Sequence, residues 1–335
     1  MLEHGGRLHA AARRYDIAIE RWLDLSTGIN PCGWPVPALP AAAWSRLPDD
    51  EDELNEAARS YYDARAVLPV AGSQAAIQSL PRLRAPCQVG VLHPGYAEHA
   101  HAWRRAGHTV APATAGELDN AVSRSDVLVL IHPNNPTGAR FSPEQLLDWH
   151  AQLAARGGWL VVDEAFMDAT PERSLAPYCD RHGLIVLRSL GKFFGLAGAR
   201  VGFVLAEPTW LEQLRAQLGP WTVATPSRWV AVQALRDRAW QETARQRLEA
   251  DGERLAALLR RHRLAPAGGC ALFQWVCTPR AIAIHAYLAR RGILTRLFKE
   301  PPSLRFGLPG TESDWIRLEA ALADIDAHDL PGVCA

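Results

Sequence analysis

The chain carries 36 basic side chains, and only two of them, Lys192 and Lys299, are lysine. Lys192 stands in R-S-L-G-K-F-F-G-L-A-G-A-R-V-G (188–202). An ε-amine can lose its proton and attack a carbonyl, whereas a guanidinium does neither, so a lysine kept in an arginine-biased chain suits a Schiff base. Ser189 lies three residues before it and Arg200 eight after, among four glycines. Hydroxyl, guanidinium and close-packing backbone together suit a phosphate held beside an amine. Three more stretches offer compatible groups. Gly72-Ser73-Gln74 reads as a helix start, with free amides for an anion. Asn135, in N-N-P-T-G after an apolar run, offers an amide donor. Asp163 ends the apolar run W-L-V-V-D, where a carboxylate needs a cationic partner such as a ring nitrogen. Each also has an ordinary reading as a cap, a turn or an ion pair.

Those residues need a scaffold that gathers them, and the periodicity supplies one. Strand patterns at 66–70, 89–93, 126–131, 159–162, 184–187 and 201–205 alternate with helical ones at 97–106 and from Ser142-Pro143-Glu144-Gln145 to the stop at Gly157-Gly158. Alternation on this scale predicts a mostly parallel sheet wrapped by helices, with ligands at the carboxyl ends of its strands. Upstream, a short amphipathic helix presents Leu8, Ala12 and Tyr15 on one side. A strand at Leu23–Leu25 then runs into a Gly/Asn/Pro turn, a proline-rich crossing spans 31–48, and a helix spans 52–63. From 228 to about 263 the pattern is helical. Strands near 272–276 and 303–307 with a helix at 280–290 complete a smaller α+β section. The expected division is a large domain at 40–230 and a small one built by both chain ends, 1–39 and 231–335.

Composition narrows the function classes. Acidic and basic residues balance at 36 each, which favours neither nucleic acid nor an acidic membrane surface. No apolar run approaches the roughly 20 residues of a membrane span, and the start lacks a signal-peptide pattern. Six scattered cysteines (Cys32, Cys87, Cys179, Cys270, Cys277, Cys334) form no C-x-x-C pair and read as reduced thiols of a cytoplasmic protein. His93, His99 and His101 invite a metal reading, but H-E-x-x-H is absent and no metal is expected. G-x-G-x-x-G, a P-loop and G-x-S-x-G are also missing.

Taken in order, Gly72-Ser73-Gln74, N-N-P-T-G (134–138), Asp163-Glu164-Ala165-Phe166, Ser189-x-x-Lys192 and Arg200 resemble fold type I pyridoxal-phosphate enzymes of the aspartate and histidinol-phosphate aminotransferase superfamily. H-G-G (4–6), S-T-G-I-N-P-C-G (26–33), D-E-A-F-M-D (163–168), R-S-L-G-K-F-F (188–194) and P-W-T-V (220–223) resemble the threonine-phosphate decarboxylases of cobalamin biosynthesis within it. The resemblance implies pyridoxal 5′-phosphate on Lys192 as a Schiff base, Asp163 facing its pyridine nitrogen, Asn135 at O3′ and Tyr96 stacked on the ring. Ser189, Arg200 and the amides of Gly72, Ser73 and Gln74 would take its phosphate. Arg305 would engage the substrate carboxylate, Asn30 would close the pocket, and His4 and Arg7 would meet the substrate's own phosphate. A homodimer with the active site near its interface and a small phosphorylated amino-acid substrate are also implied. Alternatives are an aminotransferase of similar substrates and, more distantly, a non-catalytic ligand sensor. Three positions depart from the pattern. Phe166 stands where the aminotransferases have tyrosine, Gly191 replaces a hydroxyl before the lysine, and Leu47 occupies the place of a tyrosine that reaches across the dimer.

Overall fold

The structure is a computed structural model and describes residues 3–327; Cys334 lies outside them. Contacts divide the chain into two compact units, one made of residues up to Cys32, Pro136–Gly138 and Gln246 onward, the other of Gly33–Asn135 and Ala139–Arg245. The joins fall at 32/33 and 245/246, beside the expected 39/40 and 230/231, because neighbouring segments are bound inside the larger unit. Trp34 donates its N–H to Phe194 O and its Nε1 to Asp237 Oδ2. Arg245, the last residue before the second join, donates Nε to Asp168 O at 2.9 Å.

The larger unit is built on a seven-stranded sheet. In spatial order its strands are Leu68–Val70, Gly202–Leu205, Leu184–Ser189, Trp159–Asp163, Val127–Ile131, Gln88–Leu92 and Thr109–Ala113. Gly202–Leu205 pairs antiparallel with both neighbours, and the other pairs are parallel. The runs V-L-V-L-I and W-L-V-V-D are buried at every position, as expected of central parallel strands covered on both faces. Val89, Val129, Val161 and Leu187 pack with Ile77 and Trp103 in the core on one face. The helix Pro143–Ala154 starts where Ser142 Oγ accepts from Gln145 N–H, and a positive-φ glycine, Gly157, follows it.

The strand Thr109–Ala113 was not read from the sequence. It is a sheet edge, with Pro112 in the ladder and mostly exposed side chains, so it lacks the apolar run of its neighbours.

In the smaller unit, strands Arg296–Phe298, Ser303–Gly307, Phe273–Cys277 and Gly268–Cys270 form an antiparallel sheet in that order. Leu23–Asp24 pairs parallel with Ile293–Leu294. Leu8, Ala12 and Tyr15, on the helix Leu8–Tyr15, pack against Ala11, Trp22, Ala289 and Leu294, so the amphipathic face read at the start of the chain is a packing face.

Candidate active site

Parallel strands bring their carboxyl ends to one edge, and five chain segments meet there in the larger unit. Val70 runs through Ala71 to Gly72, and Leu92 runs to Tyr96. Ile131 leads to Asn135, Asp163 is itself a strand end, and Ser189 leads to Lys192. The antiparallel strand beginning at Gly202 pairs with both Val70 and Ser189, which carries Arg200 to the same edge.

Around Arg200 the chain packs so closely that side chains are excluded. Gly72 has φ +73°, and a Cβ there would lie 2.5 Å from Arg200 Nη2. A Cβ on Gly202 would lie 2.5 Å from the Ser73 nitrogen. Gly72 is the N-cap of the helix Ser73–Ser79; its carbonyl accepts from Ala75 N–H at 3.1 Å, and the amides of Ser73 and Gln74 before it have no acceptor within the helix. Arg200 is exposed, sits in the left-handed region and donates Nη1 to Ala197 O at 3.2 Å. Ser189 Oγ accepts from Gly191 N–H at 3.2 Å. Amides, hydroxyl and guanidinium thus form a cup for an anion.

Gln74 behaves differently from its neighbours. Its Nε2 donates to Glu98 Oε2 at 3.0 Å, and its Oε1 accepts from the Tyr96 hydroxyl at 3.2 Å. The side chain therefore holds Tyr96. Burial first, then the charges of Glu98 and Asp163, pushes the Tyr96 phenol up to about 12, so it stays a donor at neutral pH.

Asp163 is 3% exposed. Its Oδ1 accepts the Ala165 N–H at 3.1 Å, and its Oδ2 lies 2.9 Å from His99 Nε2. Sequence reasoning missed His99, having weighed it with His93 and His101 only as a metal ligand. Only His99 of the three is buried. Residues 99 and 101 lie two apart on the helix Ala97–Arg105 and so point to different faces; that spacing was the available signal.

Lys192 is half-buried, with Nζ 5.6 Å from the centroid of the buried Phe166 ring. Asn135 lies within the turn closed by the Asn134 N–H donating to Ala139 O, where Asn134 Nδ2 also donates to Pro94 O.

The smaller unit holds the remaining candidates. Asn30 is buried, and its Oδ1 accepts from Cys32 N–H at 3.0 Å and Arg247 Nη2 at 3.3 Å. His4 is half-buried, and Arg7 is exposed as the N-cap of the first helix. Arg305 is buried and donates Nη2 to Ser26 O at 2.6 Å. Directly opposite it on the adjacent strand stands Arg296, whose Nη2 donates to Glu3 O. Burial, then the Arg296 charge, lowers the Arg305 pKa to about 10, which still leaves it charged at neutral pH. Like charges directly opposite in a sheet repel, so this pair favours an anion nearby. Arg296 was missed, since no strand was read at Arg296–Phe298.

The chain matches the model of the aminotransferase class I and II family over residues 44–328. The chain belongs to this family. Among relatives of this family member, a threonine-phosphate decarboxylase of Pseudomonas aeruginosa is 61% identical over 96% of this chain and 97% of its own. Another, from Sinorhizobium sp., is 42% identical over 96% and 98%. The fold matches that of histidinol-phosphate aminotransferase from Sinorhizobium meliloti, solved with pyridoxal 5′-phosphate, at a TM-score of 0.84 and 21% identity over 97% of this chain and 95% of that one. The residues present fit that cofactor. The cup at Gly72, Ser73 and Arg200 has the chemistry for its phosphate, Lys192 for its aldehyde, and Asp163, buried beside His99, for its ring nitrogen.

Proposed function

We propose that the protein is a pyridoxal-phosphate-dependent decarboxylase that converts L-threonine O-3-phosphate to (R)-1-amino-2-propanol phosphate and CO₂ for cobalamin biosynthesis. The observation that carries this reading is Arg296 facing Arg305. Two guanidiniums held side by side suit a substrate with two anionic groups, a carboxylate and a phosphate. The 61% identity to a decarboxylase over nearly the whole chain supports the choice of reaction.

When bound, pyridoxal phosphate supplies a sink for the electron pair left by a bond broken at the substrate's α-carbon. Lys192 would supply the amine that holds it. Asp163 keeps a proton on the ring nitrogen by its negative charge, and His99 fixes the orientation of that carboxylate. Tyr96, braced by Gln74, would pack on the ring, and Asn135 would supply it an amide donor. Gly72, Ser73, the Gln74 amide, Ser189 and Arg200 hold the cofactor phosphate. Arg305 binds the substrate carboxylate, and Arg296, with His4 and Arg7, its phosphate; Asn30 shapes the pocket wall. These contacts orient the α-carbon and so select the bond that breaks.

The reading extends to a cytoplasmic homodimer. Trp44 and Leu47, 70% and 68% exposed, present apolar surface on the segment where relatives place a residue reaching across to the partner. No helix among the described residues is long and apolar enough to cross a membrane.

The test is to incubate the cofactor-loaded enzyme with threonine phosphate and quantify CO₂ against keto acid. Stoichiometric CO₂ is expected; keto acid in its place would assign an aminotransferase. A Lys192→Arg enzyme should lack both turnover and the visible absorbance that borohydride removes. Full activity in that variant would end the hypothesis.

A further inference from the structure

Arg188 lies on the strand that delivers the chain to Ser189 and Lys192, and its side chain is buried. Its guanidinium reaches two carboxylates of one turn: Nη1 donates to Glu164 Oε2 at 2.7 Å and Nη2 to Asp168 Oδ1 at 2.5 Å. Glu164 also accepts from Ser174 Oγ at 2.5 Å and Leu175 N–H at 2.7 Å. Burial works against the charge on Arg188, but Asp168 and then Glu164 outweigh it, and its pKa is raised.

A buried cluster of this kind is weak evidence for stability, because well-packed apolar side chains often replace one without loss. Such a replacement would not, however, tie residue 164 to residue 168. Midway between them is Phe166, whose ring stands 5.6 Å from Lys192 Nζ. The backbone of the turn is fixed in the same place, with Met167 N–H on Glu164 O and Ala165 N–H on Asp163 Oδ1. Arg188 and Ser189 are adjacent in a strand and point to opposite faces, so the clamp grips the site from the other side of the sheet.

We propose that Arg188 is a positioning residue for Lys192. By holding both ends of the 164–168 turn, its one guanidinium keeps the Phe166 ring over the reactive amine. This rests on reading Lys192 as that amine, but the test below does not use turnover.

The chain's two lysines make the measurement simple. Lys299 is exposed and serves as an internal reference. The full chain, freed of cofactor, is treated briefly with the N-hydroxysuccinimide ester of acetic acid, and acetylation at each lysine is read by peptide mass mapping. Phe166→Ala uncovers the nitrogen and should raise the Lys192:Lys299 labelling ratio about threefold, the scale of one cation–ring contact. Asp168→Asn keeps the volume but releases one end of the turn, and should raise the ratio similarly. The double variant should rise no further, since both changes act through the same ring. Arg188→Lys cannot span both carboxylates and should give an intermediate ratio, with fragment-ion sequencing to separate the new lysine at 188 from Lys192; it carries the test if Asp168→Asn does not fold. A parental ratio in a folded Asp168→Asn or Arg188→Lys chain, or effects that multiply in the double variant, would overturn the proposal. If the labelling behaves as expected while threonine phosphate is not decarboxylated, the clamp stands and the substrate assignment fails.

Discussion

Asp163 is a carboxylate with almost no water around it, so its orientation is set by what it faces. His99 and the Ala165 amide hold it in place. A carboxylate about 4 Å from a ring cation, at an effective dielectric near 20, contributes roughly 4 kcal/mol. That corresponds to about a thousandfold in rate if lost from the bond-breaking step. We therefore expect Asp163→Asn to bind cofactor and turn over about a thousandfold more slowly; single-turnover kinetics on the loaded variant would measure it. A rate within a few-fold of the parent would remove Asp163 from the mechanism. Sequence reasoning reached this acid because an apolar strand ending in Asp is legible in one dimension. It did not reach His99, Arg296 or the Arg188 clamp. His99 and Arg188 act through residues 64 and 20–24 positions away, and Arg296 meets Arg305 only through the register of two short strands.

At the scale of elements, the turn at Gly72 decides the anion cup. An alanine there would adopt a positive φ and drive its methyl against the Arg200 guanidinium. Losing one charge-assisted hydrogen bond of about 1.5–3 kcal/mol weakens binding by about tenfold or more. Gly72→Ala should therefore raise the cofactor dissociation constant by at least about tenfold in a spectrophotometric titration, and an unchanged constant would place the phosphate elsewhere. The central strands were legible because burial on both faces makes them uninterrupted apolar runs. Thr109–Ala113 and Gly268–Cys270 were not, because an edge strand and a glycine pair carry little side-chain signal. Helix starts marked by Ser142-Pro143 and Gly72-Ser73 were readable, since capping is local chemistry.

Across the whole molecule, acid is the expected weakness. His132 is fully buried, and its Nε2 accepts the Phe141 N–H at 3.0 Å. Burial lowers its pKa to about 4. The unfolded chain, with an ordinary histidine near 6.5, takes up the proton first, so stability is present above about pH 6.5 and is lost as pH falls toward 4. The loss from this one group is about 3 kcal/mol between pH 7 and 4, with little more below that. Urea unfolding at both pH values should show a pH-dependent loss smaller by about that amount in His132→Gln, whose side-chain oxygen can still accept from Phe141. Equal losses in parent and variant would mean that His132 is not held neutral. The exposed Leu47 gives a second expectation at this scale. The parent should sediment as a dimer, and Leu47→Asp should shift it toward monomer; a parent that sediments as a monomer would remove the interface reading.

The parallel pairing of Leu23–Asp24 with Ile293–Leu294 sets an order on the protein's birth at the ribosome. Leu23 leaves the exit tunnel about 270 residues before its partner Ile293. At roughly 5–20 residues per second, that is a wait of about 15–50 s. The seven-stranded sheet lies wholly within 68–205 and can close during that interval. The first thirty or so residues, with apolar Trp22, Leu23 and Leu25, meanwhile have no finished surface of their own to bury against. In the cell, chaperones that bind short apolar stretches would find this nascent arm first, and slowing translation after residue 245 would lengthen its exposure.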